Sequence, residues 1–568
     1  MFLITAKSKH GLQRLAGLLS PYFVWAVLAS CPTPIAIAAE GQGSQERSKP
    51  ELAVWLDQHL GDHYESTGVE LPKVIDDATF LRRVYLDLAG RIPVIAEIRD
   101  FEDNSDPNKR IKAIDELLSS DRFNKHTARV WRRILMPPGT TPNPLADTSL
   151  QSWLEQQFDS NTPYDELAKS LVIAGGAEPK TETEAEAEAE EPYEAPQTQA
   201  EMMTMLQQPT PVTYLASTGG QPANMASSVS RVFLGVRLEC AQCHDHPFTD
   251  WTQQDFWGVA AFFAGARLNQ INRAVALNGM PQQAEIVDSR TTIITDEDGQ
   301  SYKVSLPWDG EDASIDVPED ELPRQYFARW MTSRDNPHFA PTAVNRIWQH
   351  LCGRGLTDSV DDLDQASEEE RAIVIDELAA KFAEIDFDTK ELIRSICATD
   401  FYQRPSERVD DTSTLEARPL KVLTPEQLFD SLEVALALPI SSIDSGPRFN
   451  GERDALVNRM EEALGDSPDE FRSGIPQALS LMNGKITADA TDLKKSRTLK
   501  AVIDAPFLDL YEKVDTLFLS TLSRRPHGPE REKFINYIQE QPSDQEKAEA
   551  YSEIMWALIN SPEFVLVR

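Results

Sequence analysis

Helical periodicity with matched start and stop residues recurs along most of this chain, and it constrains the fold more than any other feature. In the stretch DDATFLRRVYLDLAGRIP, apolar residues recur from Leu81 to Leu88 with the spacing of one face of an α-helix. Asp76 or Asp77 can cap the start of this helix, and Gly90 can close its end. We therefore expect a core-facing helix here.

The same signals recur further along the chain. SDPNKRIKAIDELLSS predicts a helix capped by Asp106, and WTQQDFWGVAAFFAG predicts one capped by Asp250. TPEQLFDSLEVAL and AYSEIMWALINSPEFVLVR are also typical of helices. Between residues 284 and 306 the apolar period changes to two, and RTTIIT and SYKVSL, joined by DEDGQ, predict a β-hairpin. The predicted fold is mainly α, with two helical domains and a small β-hairpin insertion between them.

The domain organisation follows from length and composition. A chain of 568 residues can bury more than one sizeable core. The stretch EPKTETEAEAEAEEPYE is acidic and poor in apolar residues, so it cannot offset the entropy of ordering it. In chain order we predict a signal peptide at 1–39, a linker at 40–70, a helical domain at 71–272 with a disordered acidic insert at 178–205, a small β insertion at 273–318 and a C-terminal helical domain at 319–568.

The N-terminus has the features of an export signal. Lys7 and Arg14 precede an apolar run at 15–28, and Ala36 and Ala38 form a small-residue cleavage site. We therefore expect an exported protein in the periplasm or cell envelope.

Cys31 offers an alternative to soluble export. In LASC it resembles the acylated cysteine of a lipoprotein, so membrane attachment is expected only if Cys31 is lipidated. Soluble export is favoured because the apolar run continues past Cys31 to the cleavage site. No later stretch has the length of a transmembrane helix.

The net charge of −37 limits the partners of this chain. A surface this acidic opposes binding to phosphate backbones, so nucleic acid is excluded as an expected partner. It favours basic proteins, and it would steer basic redox partners toward the chain in a salt-dependent way.

The stretch CAQCHDHPF carries the most specific chemistry. In a c-type haem site two cysteines form thioether bonds and the adjacent histidine binds the iron, so Cys240, Cys243 and His244 are the expected attachment points and proximal ligand. Zinc held by Cys240, Cys243 and His246 is the first alternative, and a Cys240–Cys243 disulfide is the second. Export favours haem c over both, and aromatic residues in the following helix could shield the ring from water.

Four stretches carry a resemblance to a known family: FLRRVYLDLAGRIP, VFLGVRLECAQCHDHPFTDWTQQDFWGVAAFFA, DNPHFAPTAVNRIWQHLCGRGLTDSVDD and LFLSTLSRRP. Together they resemble the planctomycete cytochrome-like family of large exported proteins, which pair two domains of unknown function and bear CxxCH in the first. The resemblance implies a secreted, haem-binding protein, and it names no substrate.

The sequence does not identify the sixth iron ligand, which would bind on the other side of the haem from His244. Met280 and His350 are the candidates, since small cytochromes c place a methionine downstream and His350 lies in one of the family-like stretches. His246 and Asp245 are expected to orient the loop or to bond a propionate.

Polar residues of the second domain are more simply structural. Arg346, Arg354 and Asp361 are expected to form ion pairs or helix caps. Cys352 and Cys397 are either a disulfide or two buried thiols.

These observations predict electron transfer or redox sensing by a haem protein. One alternative is a non-redox envelope binding or scaffold protein whose cysteines hold a structural metal or a disulfide. Another is a haem enzyme with an open sixth site. Whether the chain is an enzyme stays open, because it has no phosphate loop and no nucleophile elbow, so only haem oxidoreductase chemistry is in view.

Overall fold

A computed structural model of the chain describes its residues in the following ranges: 49–68, 72–136, 144–175, 208–245, 249–268, 286–307, 315–357, 359–363, 374–407, 415, 418–437, 457 and 491–568. Of residues 144–147 and residue 67 only the backbone is described. The predicted signal peptide, the acidic insert, Met280 and His246 lie outside these ranges. All the described residues belong to one compact unit, Arg47–Arg568.

The predicted mainly α fold is confirmed. The α-helices of the described ranges are α1 (Glu51–Thr67), α2 (Asp77–Ala89), α3 (Ile95–Asp103), α4 (Lys109–Leu118), α5 (Asp121–Leu135), α6 (Pro144–Asp159), α7 (Tyr164–Val172), α8 (Val212–Ala216), α9 (Pro222–Val229), α10 (Gln253–Ala260), α11 (Pro323–Met331), α12 (Phe339–Cys352), α13 (Asp376–Glu384), α14 (Thr389–Ala398), α15 (Pro425–Ala435), α16 (Arg497–Asp504), α17 (Leu510–Leu522), α18 (Gly528–Gln539), α19 (Asp544–Ile559) and α20 (Pro562–Val565). Within these ranges, no helix combines the length and apolar character needed to cross a membrane.

The strands are short and form separate two-stranded sheets. They are β1 (Arg267–Leu268), β2 (Ile286–Val287), β3 (Ile293–Thr295), β4 (Ser301–Lys303), β5 (Ser406–Glu407), β6 (Arg418–Pro419), β7 (Lys421–Val422) and β8 (Leu566–Val567). The antiparallel pair of β3 and β4 is the predicted hairpin, with Ile294 opposite Tyr302. In its turn the Asp296 carboxylate accepts hydrogen bonds from the backbone N–H groups of Asp298 and Gln300, at 3.0 and 2.8 Å.

The start and end of α2 are those predicted. The Asp76 carboxylate accepts a hydrogen bond from the Thr79 N–H at 2.8 Å, and Gly90 ends the helix in the left-handed conformation, with φ of 68°. A Cβ atom at position 90 would collide with the His126 ring. Glycine is therefore required there by both the backbone and the close neighbour.

Two predicted caps are wrong by two residues. α4 is preceded by Asn108, and Asp106 instead accepts the Asn108 N–H in the turn before it. α10 is capped by Thr252, not Asp250: the Thr252 hydroxyl and the Asp255 carboxylate each accept a backbone N–H from the other residue. This reciprocal pair satisfies two otherwise unpaired donors, which explains why it wins over an aspartate two residues earlier.

The hydrophobic interior divides into two cores, which meet at α2. The first core extends from Leu52 to Leu415 and includes Leu519; the second is built from residues between Leu423 and Val567, together with Leu86 and Ile92. The first core takes residues from both sides of position 319. The domain boundaries given above stay predictions.

Because α2 lies between the two cores, its charged side chains Arg82, Arg83 and Asp87 are buried too. Asp87 is 1 % exposed; it accepts a hydrogen bond from the Tyr402 hydroxyl at 2.7 Å, and it pairs with Lys421 and with Arg418. Burial by itself would raise the pKa of Asp87, but Lys421 and Arg418 outweigh that effect and lower the pKa below its ordinary value. We call Asp87, Tyr402, Arg418, Lys421 and His350 the Asp87 cluster.

Candidate cofactor-attachment site

The predicted attachment residues lie on a loop between two partly buried helices, α9 and α10. After α9 the chain forms one π-helical turn, Ser230–Leu234, which ends at Gly235 with φ of 62°. A Cβ atom on Gly235 would lie 2.8 Å from the Thr342 hydroxyl oxygen, so the loop can approach α12 this closely only with glycine. A short 3₁₀ helix, Leu238–Ala241, follows and carries the first cysteine. We call residues 236–245 the cysteine loop.

Both cysteines of the motif are accessible on this loop. Cys240 and Cys243 are exposed and free, whereas Cys352 and Cys397 are free and buried. Partial burial raises the pKa of the Cys240 thiol, and the neighbouring Glu239 carboxylate raises it further. Cys240 is therefore a neutral thiol near pH 7, unlike the thiolates of disulfide oxidoreductases.

His244 has one ring nitrogen fixed by the loop itself. Its Nδ1 lies 2.8 Å from the backbone oxygen of Asp245. Because a carbonyl oxygen only accepts, Nδ1 carries the hydrogen in the neutral ring, and Nε2 then carries the lone pair. This is the arrangement in which a histidine binds a metal through Nε2 while a backbone carbonyl fixes its tautomer.

The cysteine loop is held against the start of α10. The Asp245 carboxylate accepts the Gln253 N–H at 2.9 Å, and the Gln242 carbonyl accepts from the Gln253 side chain and from the Trp257 indole, each at 3.2 Å. Gln242, one of the two residues between the cysteines, and Asp245, the residue after His244, are thus both anchored to one helix.

Three aromatic residues of this region lie in the hydrophobic core, and shielding of a haem by the flanking aromatic residues stays a prediction. Phe256, Phe262 and Phe263 are buried in the first core, where Phe262 stacks on Tyr326 with ring centroids 6.1 Å apart. Phe256 lies on the core-facing side of α10, and Phe262 and Phe263 lie in the 3₁₀ helix Ala261–Phe263 that follows it. Trp257 is the aromatic residue of α10 whose polar edge reaches the loop.

A second anchor comes from the following family-like stretch. The Arg346 guanidinium, on α12, donates to the backbone oxygens of Arg231 and Val232 and pairs with Asp361. This is the ion pair expected for Arg346 and Asp361. Arg354 lies partly buried just after the end of α12.

The structure places His350 in the Asp87 cluster. Its Nε2 lies 3.1 Å from the backbone oxygen of Asp87, and its ring centroid lies 5.6 Å from that of His126. Burial, reinforced by Lys421, lowers the pKa of His350 to about 4. With Nε2 held by this bond, Nδ1 is the ring nitrogen that could bind a metal, and the role of His350 as a sixth ligand stays a prediction. Met280, the other candidate, lies outside the described residues.

The described residues do not test the zinc alternative either, because one of its ligands lies outside them. Among the described residues, no group of three or more histidine, cysteine, aspartate or glutamate side chains is arranged to hold a metal ion. His246, which the zinc alternative requires, is not among them. That alternative stays a prediction.

The two kinds of cysteine should differ in reactivity. In haem-free protein under native conditions, we expect iodoacetamide to label Cys240 and Cys243, and to leave Cys352 and Cys397 unlabelled until denaturant is added. Burial raises the pKa of Cys352 to about 12 and that of Cys397 well above its ordinary value, so both lack thiolate and access. Peptide mass spectrometry reads each site separately. Native labelling at Cys352 equal to that at Cys240 would contradict the structure.

Sequence reasoning missed the Asp87 cluster. A signal was present: in the stretch FLRRVYLDLAG, Arg83 and Asp87 stand one turn apart on the same side of the helix, flanked there by Phe80 and Leu86. Charged residues on a helix without a solvent face have to be paired inside the protein. The stretch alone could not say that the partners come from residues 402–421.

The chain matches two family models, and both describe proteins of unknown function. Residues 55–267 match PSCyt2, described as a protein of unknown function (DUF1549), and residues 323–462 match PSD1, described as a protein of unknown function (DUF1553). No curated protein and no solved structure matches the chain. The expected pairing of two domains of unknown function is confirmed, and the cytochrome-like character stays a prediction.

Proposed function

We propose that this chain, in which a DUF1549 domain is paired with a DUF1553 domain, is an exported protein that carries one c-type haem and uses it for electron transfer or redox sensing in the cell envelope. The observation that carries the proposal is the state of the CxxCH residues. Two exposed, free thiols lie on the same anchored loop as a histidine whose Nε2 is left with the lone pair.

The residues present fit a covalently attached haem. The thiols of Cys240 and Cys243 would form the thioether bonds, and both are accessible for that step. His244 would bind through Nε2, while the Asp245 carbonyl holds Nδ1 and fixes the ring. A bound haem supplies a one-electron couple whose potential depends on its ligands and on solvent exposure.

Two observations weigh against a redox-active disulfide as the function of the motif. Reactive CxxC cysteines have a depressed pKa, because nearby positive charge or a helix N-terminus stabilises the thiolate. The pKa of Cys240 is instead raised, by burial and by Glu239. Cys240 also lies in a short 3₁₀ turn, not in the first turn of an α-helix.

The charge of the chain supports a basic partner. With a net charge of −37, the protein would attract basic redox proteins at low ionic strength and lose that attraction as salt screens it. An exposed cysteine loop would leave the cofactor edge within reach of such a partner.

Covalent haem attachment is the decisive test. When the chain is produced with haem-maturation factors and denatured in SDS, we expect a haem-stained band, and we expect the peptide containing residues 240–244 to gain about the mass of haem b. The double variant Cys240→Ser, Cys243→Ser should give no stained band. Cys352→Ala is the matched control, since it removes a cysteine elsewhere and should keep the stain.

Each result separates the proposal from its alternatives. Absence of stain in the unaltered chain, or persistence of stain in the double variant, would overturn the proposal. A peptide lighter by two hydrogens would indicate a disulfide, and a metal lost on denaturation would indicate zinc. If haem is attached, a high-spin spectrum that binds carbon monoxide would favour a haem enzyme over electron transfer.

A further inference from the structure

Arg346 is a buried side chain from the DUF1553 region. It contacts the π-helical turn Ser230–Leu234 of the DUF1549 region, which leads into the cysteine loop and which we call the loop stem. Its side chain is 4 % exposed. Its Nε donates to the Val232 oxygen at 3.0 Å, and its Nη2 donates to the Arg231 oxygen at 2.7 Å. Both oxygens belong to the π-helical turn that leads into the loop.

Carbonyls at this position need a donor from outside the helix. The last turn of a helix leaves its carbonyl oxygens without intrahelical partners, and buried carbonyls cannot use water instead. A guanidinium group suits the task, because its planar fork donates in several directions at once. A lysine ammonium is a point charge and cannot reproduce that fork.

Asp361 completes the contact from the same region. Its carboxylate pairs with Arg346 and lies 3.5 Å from Arg231 and 3.8 Å from Arg237, the residue that precedes the 3₁₀ helix. Burial would raise the pKa of Asp361, but Arg346 and Arg231 outweigh burial and keep the carboxylate charged. Two residues further on, the Leu363 N–H donates to the Gly235 oxygen at 2.8 Å.

We propose that Arg346 and Asp361 are positioning residues for the cysteine loop, so that the attachment site of the DUF1549 region is completed by the DUF1553 region. We call the pair the loop clamp. It fixes the turn from which Cys240, Cys243 and His244 are presented. The clamp itself rests on geometry alone; its consequence for haem rests on the function proposed above.

Hydrogen exchange in the haem-free full chain tests the clamp directly. In Arg346→Met and in Asp361→Asn, we expect the amides of residues 230–245 to exchange about tenfold faster or more. The first variant loses both guanidinium hydrogen bonds to the turn at 230–234, and the second loses the negative charge that pairs with Arg346 and Arg231. Amides of the second core should change no more in these variants than in Arg324→Met, the control described below. Arg346→Lys should resemble Arg346→Met, since a single ammonium cannot serve both carbonyls and Asp361.

Arg324 offers a matched control. It is 1 % exposed, it pairs with Asp288, and it donates to the backbone oxygens of Val172 and Ala174 at 3.0 and 3.1 Å. Arg324→Met therefore removes the same kind of buried, carbonyl-bound ion pair from a different part of the first core. We expect it to lower overall stability while leaving exchange in residues 230–245 within about twofold of the unaltered chain.

The comparison is made at a temperature where circular dichroism shows every variant to be folded. If Arg346→Met, Arg346→Lys and Asp361→Asn change loop exchange no more than Arg324→Met does, the clamp is only a stability element and the proposal is wrong. In haem-loaded protein, the clamp variants should also show a shifted midpoint potential, whereas Arg324→Met should not. If haem does not attach, the proposed function is wrong, but the hydrogen-exchange result still tests the clamp.

Discussion

Replacing Asp87 by alanine is expected to lower the free energy of unfolding by about 3–5 kcal/mol, the largest effect of any single substitution proposed for this chain. Asp87 is fully buried and is the carboxylate that pairs with Lys421 and Arg418. Without it, two cations remain inside the protein with no compensating charge. Denaturant unfolding followed by circular dichroism would measure the change as a shift in midpoint at constant slope.

An exposed ion pair provides the control. Arg329 pairs with Glu321, and their side chains are 58 % and 20 % exposed, so Glu321→Gln should cost less than about 1 kcal/mol. Equal effects of Asp87→Ala and Glu321→Gln would contradict the buried network. If Asp87→Ala lowers stability and also changes the dependence of the free energy of unfolding on denaturant concentration, the native state of the variant is partly unfolded.

Acidification is expected to destabilise the folded chain between pH 6.5 and pH 4, before most carboxylates are protonated. The pKa of His350 is lowered from 6.5 to about 4 by burial, reinforced by Lys421. The unfolded chain therefore binds a proton in this window that the folded chain does not, so the stability contributed by neutral His350 is lost as pH falls. This pKa shift corresponds to a loss of about 2–3 kcal/mol in the free energy of unfolding, allowing for the partial exposure of His350.

The neighbours of His350 act in the same direction. The pKa of His126 is lowered by burial, and His350 itself lowers it further, so its protonation on unfolding adds to the loss. Asp87 contributes only at lower pH, since its lowered pKa makes its stabilisation disappear as the carboxylate is protonated. Unfolding curves collected at several pH values between 6.5 and 4 measure how the free energy of unfolding changes with pH.

His350→Gln serves as the matched variant for this effect. Glutamine can still donate to the Asp87 carbonyl, as the Nε2 group does, but it does not titrate. The dependence of stability on pH between 6.5 and 4 should therefore be shallower in the variant. An unchanged slope would mean that His350 titrates normally in the folded chain.

The Asp87 cluster and the loop clamp have the same organisation. In each, charged groups of one family-matched region bind groups of the other: Asp87 with Lys421, and Arg346 with the carbonyl of Val232. Both contacts are buried, so neither can be lost without leaving unpaired polar groups. The two regions therefore depend on each other for stability and, if the clamp is correct, for the shape of the cysteine loop.

Local structure could be predicted from local sequence. The boundaries of α2 followed from Asp76 and Gly90, and the β3–β4 hairpin followed from its alternation and its acidic turn. The errors were local as well: at α10 the reciprocal bonds of Thr252 and Asp255 outcompeted Asp250 as the cap. Capping depends on a few neighbouring residues, which is why spacing locates a helix well and its first residue less well.

The CxxCH motif, together with the export signal, predicts haem attachment from sequence alone, because attachment needs two cysteines and an adjacent histidine at fixed spacing. What the sequence could not determine was which distant groups surround these residues and which buried charges meet. Asp87 and Lys421 are 334 residues apart in the chain, and only the tertiary structure brings them together. Their pairing, like the contact of Arg346 with the loop stem, depends on how whole helices pack, and no local pattern of residues contains that information.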